Sequence, residues 1–184
     1  MAQRAVALLR GINVGGHARV AMPALRECVQ ALGHTEVATY LQSGNVVFTP
    51  AGAATPIELA AQLGTAIAER LGVGPAVVVL TRDELAAVVA DNPFPGEPDG
   101  RRLHAVIGAE DHPPKQHRQL AAALEASRAA GSDDDARIAG RVLWLHTPGG
   151  FGTSRLAAGL ARVQGSATAR NWRTVTTLLS MLDG

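Results

Sequence analysis

The chain repeats itself at a nearly constant spacing of 98 residues, and this repeat restricts the folds open to it. A steady spacing in an alanine-rich chain indicates duplication of one unit, because chance matches would not keep the same offset. We therefore expect two copies of one small fold. The matching segments are 5–9 with 103–107, 49–52 with 147–150 and, one residue out of step, 59–63 with 156–160.

Local signals within each copy predict the order β-α-β-β-α-β. Two capping boxes, at 55–58 and 81–84, mark helix starts. Where the first copy has a valine-rich strand, the second is predicted to have a helix that Thr168 caps and that ends near Leu182. This order is that of the split βαβ or ferredoxin-like motif. The predicted fold class is α+β, with two ferredoxin-like subdomains built from duplicated β-α-β-β-α(-β) units and mainly antiparallel sheets.

A linker separates the copies. Residues 91–99 contain three prolines and a glycine, a composition typical of connecting segments. We therefore predict a first subdomain at 1–92 and a second at 99–184 that includes the C-terminal helix. We expect the two to form one compact unit.

Composition supports a globular protein of the cytoplasm. Of the 184 residues, 47% are hydrophobic, enough for a core without disulfides or metals. The single cysteine, Cys28, lies at helical spacing from the apolar residues Met22 and Leu25, so we expect it to be buried on the same helix face. We expect no membrane association, because the sequence has neither a signal-peptide pattern nor a sufficiently long apolar run.

Charge is distributed unevenly, although the formal net charge is only +1. Residues 1–26 hold four arginines and no acid, and residues 137–184 hold six arginines against Asp183 alone. Lys115 is the one lysine among 17 basic residues. Arginine presents planar, forked donors that suit phosphate and carboxylate. The alternative is a codon bias toward alanine and arginine.

Two glycine-rich turns, 10–16 and 148–155, follow apolar strands in these basic regions. Glycine lets backbone N–H groups converge on a small group, and nearby arginine indicates that the group is negative. Neither turn is a dinucleotide fingerprint or a P-loop, so we do not expect ATP hydrolysis. The alternative is that the glycines only satisfy backbone geometry. The candidate ligand-binding residues in these turns are Arg10, Asn13, Gly15, Gly16, Arg19, Gly152, Thr153, Ser154 and Arg155.

Two further segments carry candidate ligand-binding residues. Arg170, Asn171 and Arg173 fall on the first turn of the last predicted helix, where the helix dipole disfavours cations, so a ligand or an acidic side chain should face them. The predicted hairpin tip offers side-chain amides and a hydroxyl group to a ligand. The alternative is that Gly44 and Asn45 are present because they suit positive-φ turn positions. The tip candidates are Gln42, Ser43 and Asn45.

Histidine spacing does not match a metal site, and we expect neither a metal nor a cofactor. His17 is a candidate general acid or base because it follows the first glycine turn. His146 shares a predicted strand face with Val142 and Trp144, which favours a role in the core.

Four segments together resemble a known family, the uncharacterised bacterial group called domain of unknown function sixteen-ninety-seven. The resemblance implies an α+β fold of two ferredoxin-like subdomains and implies no activity. Relatives often carry lysine after the double glycine, whereas this chain has His17-Ala18-Arg19, which puts a role for lysine there in doubt. The segments are ALLRGINVGG at 7–16, TYLQSGNVVF at 39–48, NPF at 92–94 and TARNWRTV at 168–175.

The favoured function is binding of a small anionic or phosphate-bearing ligand, or of a nucleic-acid backbone, in a basic cleft between the subdomains. Its arginines would come from both halves. One alternative is an enzyme acting on a phosphorylated or carboxylated metabolite through His17 or Ser154. Another is a protein–protein interaction module. RNA recognition on the sheet is disfavoured, because aromatic residues make up only 3% of the chain. The sequence does not specify an oligomeric state.

Overall fold

The computed structural model describes residues 3–14, 18–161 and 165–184. Its helices and strands confirm the predicted duplicated α+β architecture. The first set is β1 (Ala5–Leu9), α1 (Met22–Gln30), β2 (Thr35–Tyr40), β3 (Asn45–Thr49), α2 (Pro56–Leu71), β4 (Val77–Thr81) and α3 (Arg82–Ala90). The second is β5 (Leu103–Ile107), α4 (Pro114–Ala129), β6 (Asp135–Ala139), β7 (Val142–His146), a 3₁₀ turn (Phe151–Thr153), α5 (Arg155–Ala161), β8 (Thr168–Asn171) and α6 (Trp172–Asp183).

Each set forms a four-stranded sheet. The strand orders are β2-β3-β1-β4 and β6-β7-β5-β8, so both sheets have the same topology. All neighbouring strands are antiparallel. The strands that pair on both sides are β1 and β3 in the first sheet and β5 and β7 in the second. This equivalence supports the duplication inferred from the repeat.

The prediction of a helix beginning at Thr168 is wrong. Residues Thr168–Asn171 form β8, which pairs with β5 in the register Ile107↔Thr168 and Ala105↔Arg170. The helix α6 begins afterwards, and the side chain of Asn171 accepts the backbone N–H of Thr174 at 2.9 Å in the manner of an N-cap. The second copy therefore has its fourth strand, like the first.

The chain divides into two compact units, Met1–Ala87 with Thr177–Gly184, and Val88–Thr176. The end of α6 thus belongs to the first unit, whereas the predicted ranges 1–92 and 99–184 place it in the second subdomain. Two contacts hold it there. Arg4 Nη1 donates to the carbonyl oxygen of Met181 at 2.7 Å, and Arg82 Nε pairs with Asp183 Oδ1 at 2.8 Å.

The core of the first unit lies between its sheet and the helices α1 and α2. Leu25 of α1 and Leu63 of α2 pack against Phe48 of the sheet, and all three are fully buried. Cys28 is also buried, as predicted, and desolvation raises the pKa of its thiol. The α2 capping box is present, since the Thr55 side chain accepts the Glu58 N–H and the Glu58 carboxylate accepts the Thr55 N–H.

The core of the second unit lies between its sheet and the helices α4 and α5. Val106 and Leu143 of the sheet pack with Leu156 of α5. At the edge of this core, the His104 ring stacks on Phe151 with the ring centroids 4.0 Å apart. The buried Nδ1 atom of His104 has no hydrogen-bond partner among the residues that the structure describes. Desolvation lowers the pKa of His104 to about 4.

None of the helices in the described part of the chain combines the length and the hydrophobicity that a membrane span requires.

The half-buried, desolvated His104 predicts acid sensitivity of the second unit. The folded state keeps this imidazole neutral, whereas the unfolded chain binds a proton below about pH 6.5. The free energy of unfolding should therefore fall as the pH decreases from about 6.5 to about 4, by up to about 3 kcal/mol from this group. Urea unfolding of the wild type at pH 7.5, 5.5 and 4 measures the loss.

His104→Phe keeps the ring stack and removes the titrating group, so its stability should depend less on pH across this range. His117→Gln is the matched control, because His117 is exposed on α4. Equal pH dependence in His104→Phe and the wild type would contradict the prediction.

Candidate functional site

The side chain of Asn13 organises the loop between β1 and α1. Its Nδ2 donates to the carbonyl oxygens of Val20 at 2.9 Å and Gln42 at 2.8 Å. Its Oδ1 accepts the Val20 N–H at 2.9 Å. Asn13 itself has φ +53, a left-handed conformation that asparagine tolerates better than most residues. The loop is thereby closed on itself and joined to the β2–β3 hairpin tip.

Close packing reinforces this joint. The Leu9 N–H donates to the Gly44 carbonyl oxygen at 2.8 Å. A Cβ at Gly44 would lie 2.6 Å from Ile12 Cδ1, and Gly44 has φ +75, so glycine is required twice over. The two sequence motifs of the first half, the Arg10 turn and the hairpin tip, are therefore neighbours.

The structure corrects the assignment of backbone conformation at the tip. The positive-φ residues are Leu41 and Gly44, not Gly44 and Asn45. Asn45 is the first residue of β3, fully buried, and its Nδ2 donates to the Tyr40 carbonyl oxygen and to Ser43 Oγ. Its amide therefore holds the hairpin together from inside.

We call residues 10–14, 18–20 and 41–44 the loop–tip surface. Its two arginines are Arg10, which is half-buried, and Arg19, which is exposed. Among the described residues, no carboxylate forms an ion pair with either. A cavity of about 630 Å³ lies beside Asn13, Arg19, Val20 and Ala21. The predicted site residues Gly15 and Gly16, and the candidate base His17, lie outside the described residues.

The second glycine turn uses its hydroxyl groups internally. Thr153 Oγ1 donates to the carbonyl oxygens of Gly149 and Gly150 at 3.0 and 3.1 Å. Ser154 is buried, donates to Asp134 Oδ2 at 2.7 Å and accepts the Ala157 N–H at 2.9 Å. Since its one proton is held by a carboxylate, Ser154 acts here as a helix cap.

A cavity of about 650 Å³ adjoins this turn and the end of α4. Small residues line most of it, together with Asp134, Ser154 and Arg155. Gly152 and Arg155 are exposed. The acidic side chain of Asp134 therefore lies at this turn, where the sequence predicts an anionic ligand.

Arg170 lies on the sheet face opposite to α4 and α5. Its neighbour Ala169 packs into the helix-facing core, and alternate residues of a strand point to opposite faces. The strand register aligns Arg170 with Ala105, Ala105 with Trp144, and Trp144 with Arg137 in one row across the sheet.

The environment of Arg170 is buried and polar. Its Nη1 donates to Thr168 Oγ1 at 2.7 Å and to the Ala169 carbonyl oxygen at 2.9 Å. Desolvation lowers the pKa of Arg170 to about 10. Because Ser154 caps a helix on the other side of this sheet, the structure does not bring Ser154 and Arg170 together.

The other two predicted residues of this segment lie at the start of α6, Asn171 just before it and Arg173 in its first turn. Asn171 is its N-cap, as described above. Arg173 is exposed, and a Cβ at Gly100 would lie 2.8 Å from its Cγ, so residue 100 must be small for this packing. The Trp172 N–H donates to the Gly100 carbonyl oxygen at 3.0 Å, and the Trp172 ring meets Trp144 edge-on.

A polar cluster that the sequence analysis did not assign lies at the end of β7. His146 Nε2 and Glu97 Oε2 are 2.6 Å apart, and this hydrogen bond lowers the pKa of Glu97. Phe94 stacks on the His146 ring, and the Arg137 guanidinium lies 5.0 Å from the Phe94 centroid. The local signal for this cluster in the sequence is the NPF segment at 92–94. Phe94 and Glu97 attach the proline-rich segment to the sheet through His146. His146 is thus a half-buried residue partnered by Glu97 at the end of the strand, whereas the sequence favoured a place in the core.

Metal binding finds no support in the described ranges, where no group of three or more His, Cys, Asp or Glu side chains is arranged to hold an ion.

The role of Asn13 predicts the effect of removing its side chain. Asn13→Gly tolerates the positive φ but loses three hydrogen bonds, so the free energy of unfolding should fall by about 2 kcal/mol. Urea unfolding measures this loss, and the Val20 amide should exchange faster with solvent. Gln42→Ala is the control, because only the backbone of Gln42 takes part. Equal stability of the two variants would refute the assigned role.

Comparison with known proteins places the chain in a family without an assigned function. No curated protein matches it. A solved structure of a conserved bacterial protein from Streptococcus pneumoniae is similar, with 23% identity, 98% coverage of each chain and a TM-score of 0.72, and this likeness shows the fold alone. A family model matches residues 2–144, so the match ends before the segment at 168–175. The chain belongs to the family described as "Protein of unknown function (DUF1697)".

Proposed function

We propose that this chain binds a small anionic or phosphate-bearing ligand at the loop–tip surface. The observation that carries the proposal is that Arg10 and Arg19 have no carboxylate partner among the described residues. Both stand on the loop that Asn13 closes. Two cations on one loop that form no ion pair with a described carboxylate attract an anion.

The geometry of the loop favours binding further. Two hydrogen bonds that Asn13 donates and one that it accepts tie residue 13 to Val20 and to the hairpin tip before any ligand arrives. Such preorganisation lowers the conformational entropy that binding would otherwise cost. Guanidinium groups then supply charge-assisted hydrogen bonds, which are stronger than neutral ones. The adjoining cavity of about 630 Å³ is large enough for a small metabolite.

Catalysis at the second glycine turn has less support than binding at the first. Ser154 is committed to Asp134 and to the α5 backbone. The contribution of Arg155, Arg170 and Arg173 to one shared cleft stays a prediction. Burial of Arg170 is compatible with an anionic partner, because a buried cation is stabilised by a nearby negative charge.

Inorganic phosphate tests the proposal directly. In a titration followed by ¹⁵N–¹H NMR at constant ionic strength, saturable shifts should appear at the amides of the loop–tip surface. Arg10→Ala and Arg19→Ala should each weaken binding about tenfold, the order expected when one charge-assisted hydrogen bond is lost.

Arg118→Ala is the matched control, because Arg118 is an exposed arginine on α4 without an ion pair among the described residues. It should bind phosphate like the wild type. Unchanged affinity in both Arg10→Ala and Arg19→Ala, or the absence of saturable binding to the wild type, would overturn the proposal.

A further inference from the structure

Large hydrophobic side chains are exposed at the loop–tip surface. In the described part of the chain, three such residues are exposed: Val14 at 64%, Leu41 at 55% and Ile57 at 64%. Ile57 lies in the first turn of α2. Val14 and Leu41 both belong to the loop–tip surface. Two of the three exposed large hydrophobic residues therefore accompany the two arginines.

The Asn13 side chain joins the two segments that carry these residues. Val14 follows Asn13 in the loop, and Leu41 precedes Gln42 at the tip. The hydrogen bond from Asn13 Nδ2 to the Gln42 carbonyl oxygen is 2.8 Å long, and it joins the two segments at this point. The packing of Gly44 against Ile12 keeps them joined. The loop and the hairpin tip, which carry these apolar and cationic residues, are therefore held together.

Leu41 is also strained. Its φ is +57, in the left-handed region where a residue other than glycine or asparagine costs on the order of 1–2 kcal/mol. Because the Leu41 side chain is exposed, the first unit gains no hydrophobic free energy from burying it that would offset this cost. Strain of this kind concentrates at functional positions. An apolar residue held at a strained, exposed turn is therefore evidence that the side chain is used in binding.

We infer that the loop–tip surface binds an amphipathic anion. Its phosphate or carboxylate meets Arg10 and Arg19, and an attached aliphatic or aromatic group lies against Val14 and Leu41. Charge complementarity determines the sign of the ligand, because residues 3–14 and 18–20 contain arginine and no acid. The exposed hydrophobic side chains account for its apolar part. This inference rests on the proposed function and narrows its ligand class.

Phenyl phosphate, inorganic phosphate and phenol are the probes that separate the two contributions. The wild type should bind phenyl phosphate about tenfold more tightly than inorganic phosphate, since shielding part of a phenyl ring from water contributes affinity of that order. Phenol, which lacks the anion, should bind more weakly than phenyl phosphate. The same NMR titration measures all three.

Leu41→Asn is the informative variant, because asparagine accepts the left-handed conformation. It should raise the unfolding midpoint and yet bind phenyl phosphate no more tightly than inorganic phosphate, so weaker binding cannot come from misfolding. Val14→Ser should also reduce the preference. Ile57→Ser, equally exposed but on α2, should leave it unchanged.

The outcomes distinguish this inference from the function on which it rests. Saturable phosphate binding with no preference for phenyl phosphate overturns the inference alone. Retention of the full preference in Leu41→Asn and Val14→Ser also overturns it. Absence of saturable binding of either anion overturns both the inference and the proposed function.

Discussion

Burial of the central strand β1 is the constraint on which the candidate site depends. All five of its residues are buried, and its backbone pairs with β3 and β4. Charged side chains are therefore excluded from the strand and begin where it ends, at Arg10. A chain leaving a buried strand must also satisfy its backbone polar groups. The amide of Asn13 does so for Val20 and Gln42, and this places the loop against the hairpin tip.

The two copies share a topology and differ in how their glycine turns use polar side chains. In the first unit, the Asn13 side chain hydrogen-bonds to the backbone of Val20 and Gln42. The arginines of this turn form no ion pair with a described carboxylate. In the second, Thr153 and Ser154 bond to nearby carbonyl oxygens and to Asp134. A duplicated framework therefore carries one turn whose two arginines form no ion pair with a described carboxylate and one turn whose hydroxyl groups are held by internal hydrogen bonds. The difference lies in a few side chains and not in the fold.

Structural features that depend on a few neighbouring residues could be predicted from the sequence. The Thr55–Glu58 capping box needs only four residues, and both of its hydrogen bonds are present. The repeat predicted the topology because spacing survives divergence. By contrast, Thr168–Asn171 has no apolar alternation, and its strand conformation comes from pairing with β5, which is distant in sequence. Local propensity alone favoured a helix there, and sheet pairing prevailed.

The candidate site shows the same division. Gly44 was recognised as a turn residue, but the positive φ of Leu41 was not, because leucine is intrinsically unfavourable there. The pairing of Ser154 with Asp134 joins residues 20 positions apart and carries no local signal. The cluster of Glu97, His146 and Phe94 left only the NPF segment as a local signal, because its members meet only when the proline-rich segment lies on the sheet.

By itself, the sequence determined the duplicated α+β plan, the helix caps and the concentration of arginine near its ends, because these depend on composition, spacing and neighbouring residues. Only the tertiary structure decided which polar groups remain available to a ligand. Hydrogen bonds and ion pairs between distant segments settle that, and such partners are chosen by packing in three dimensions.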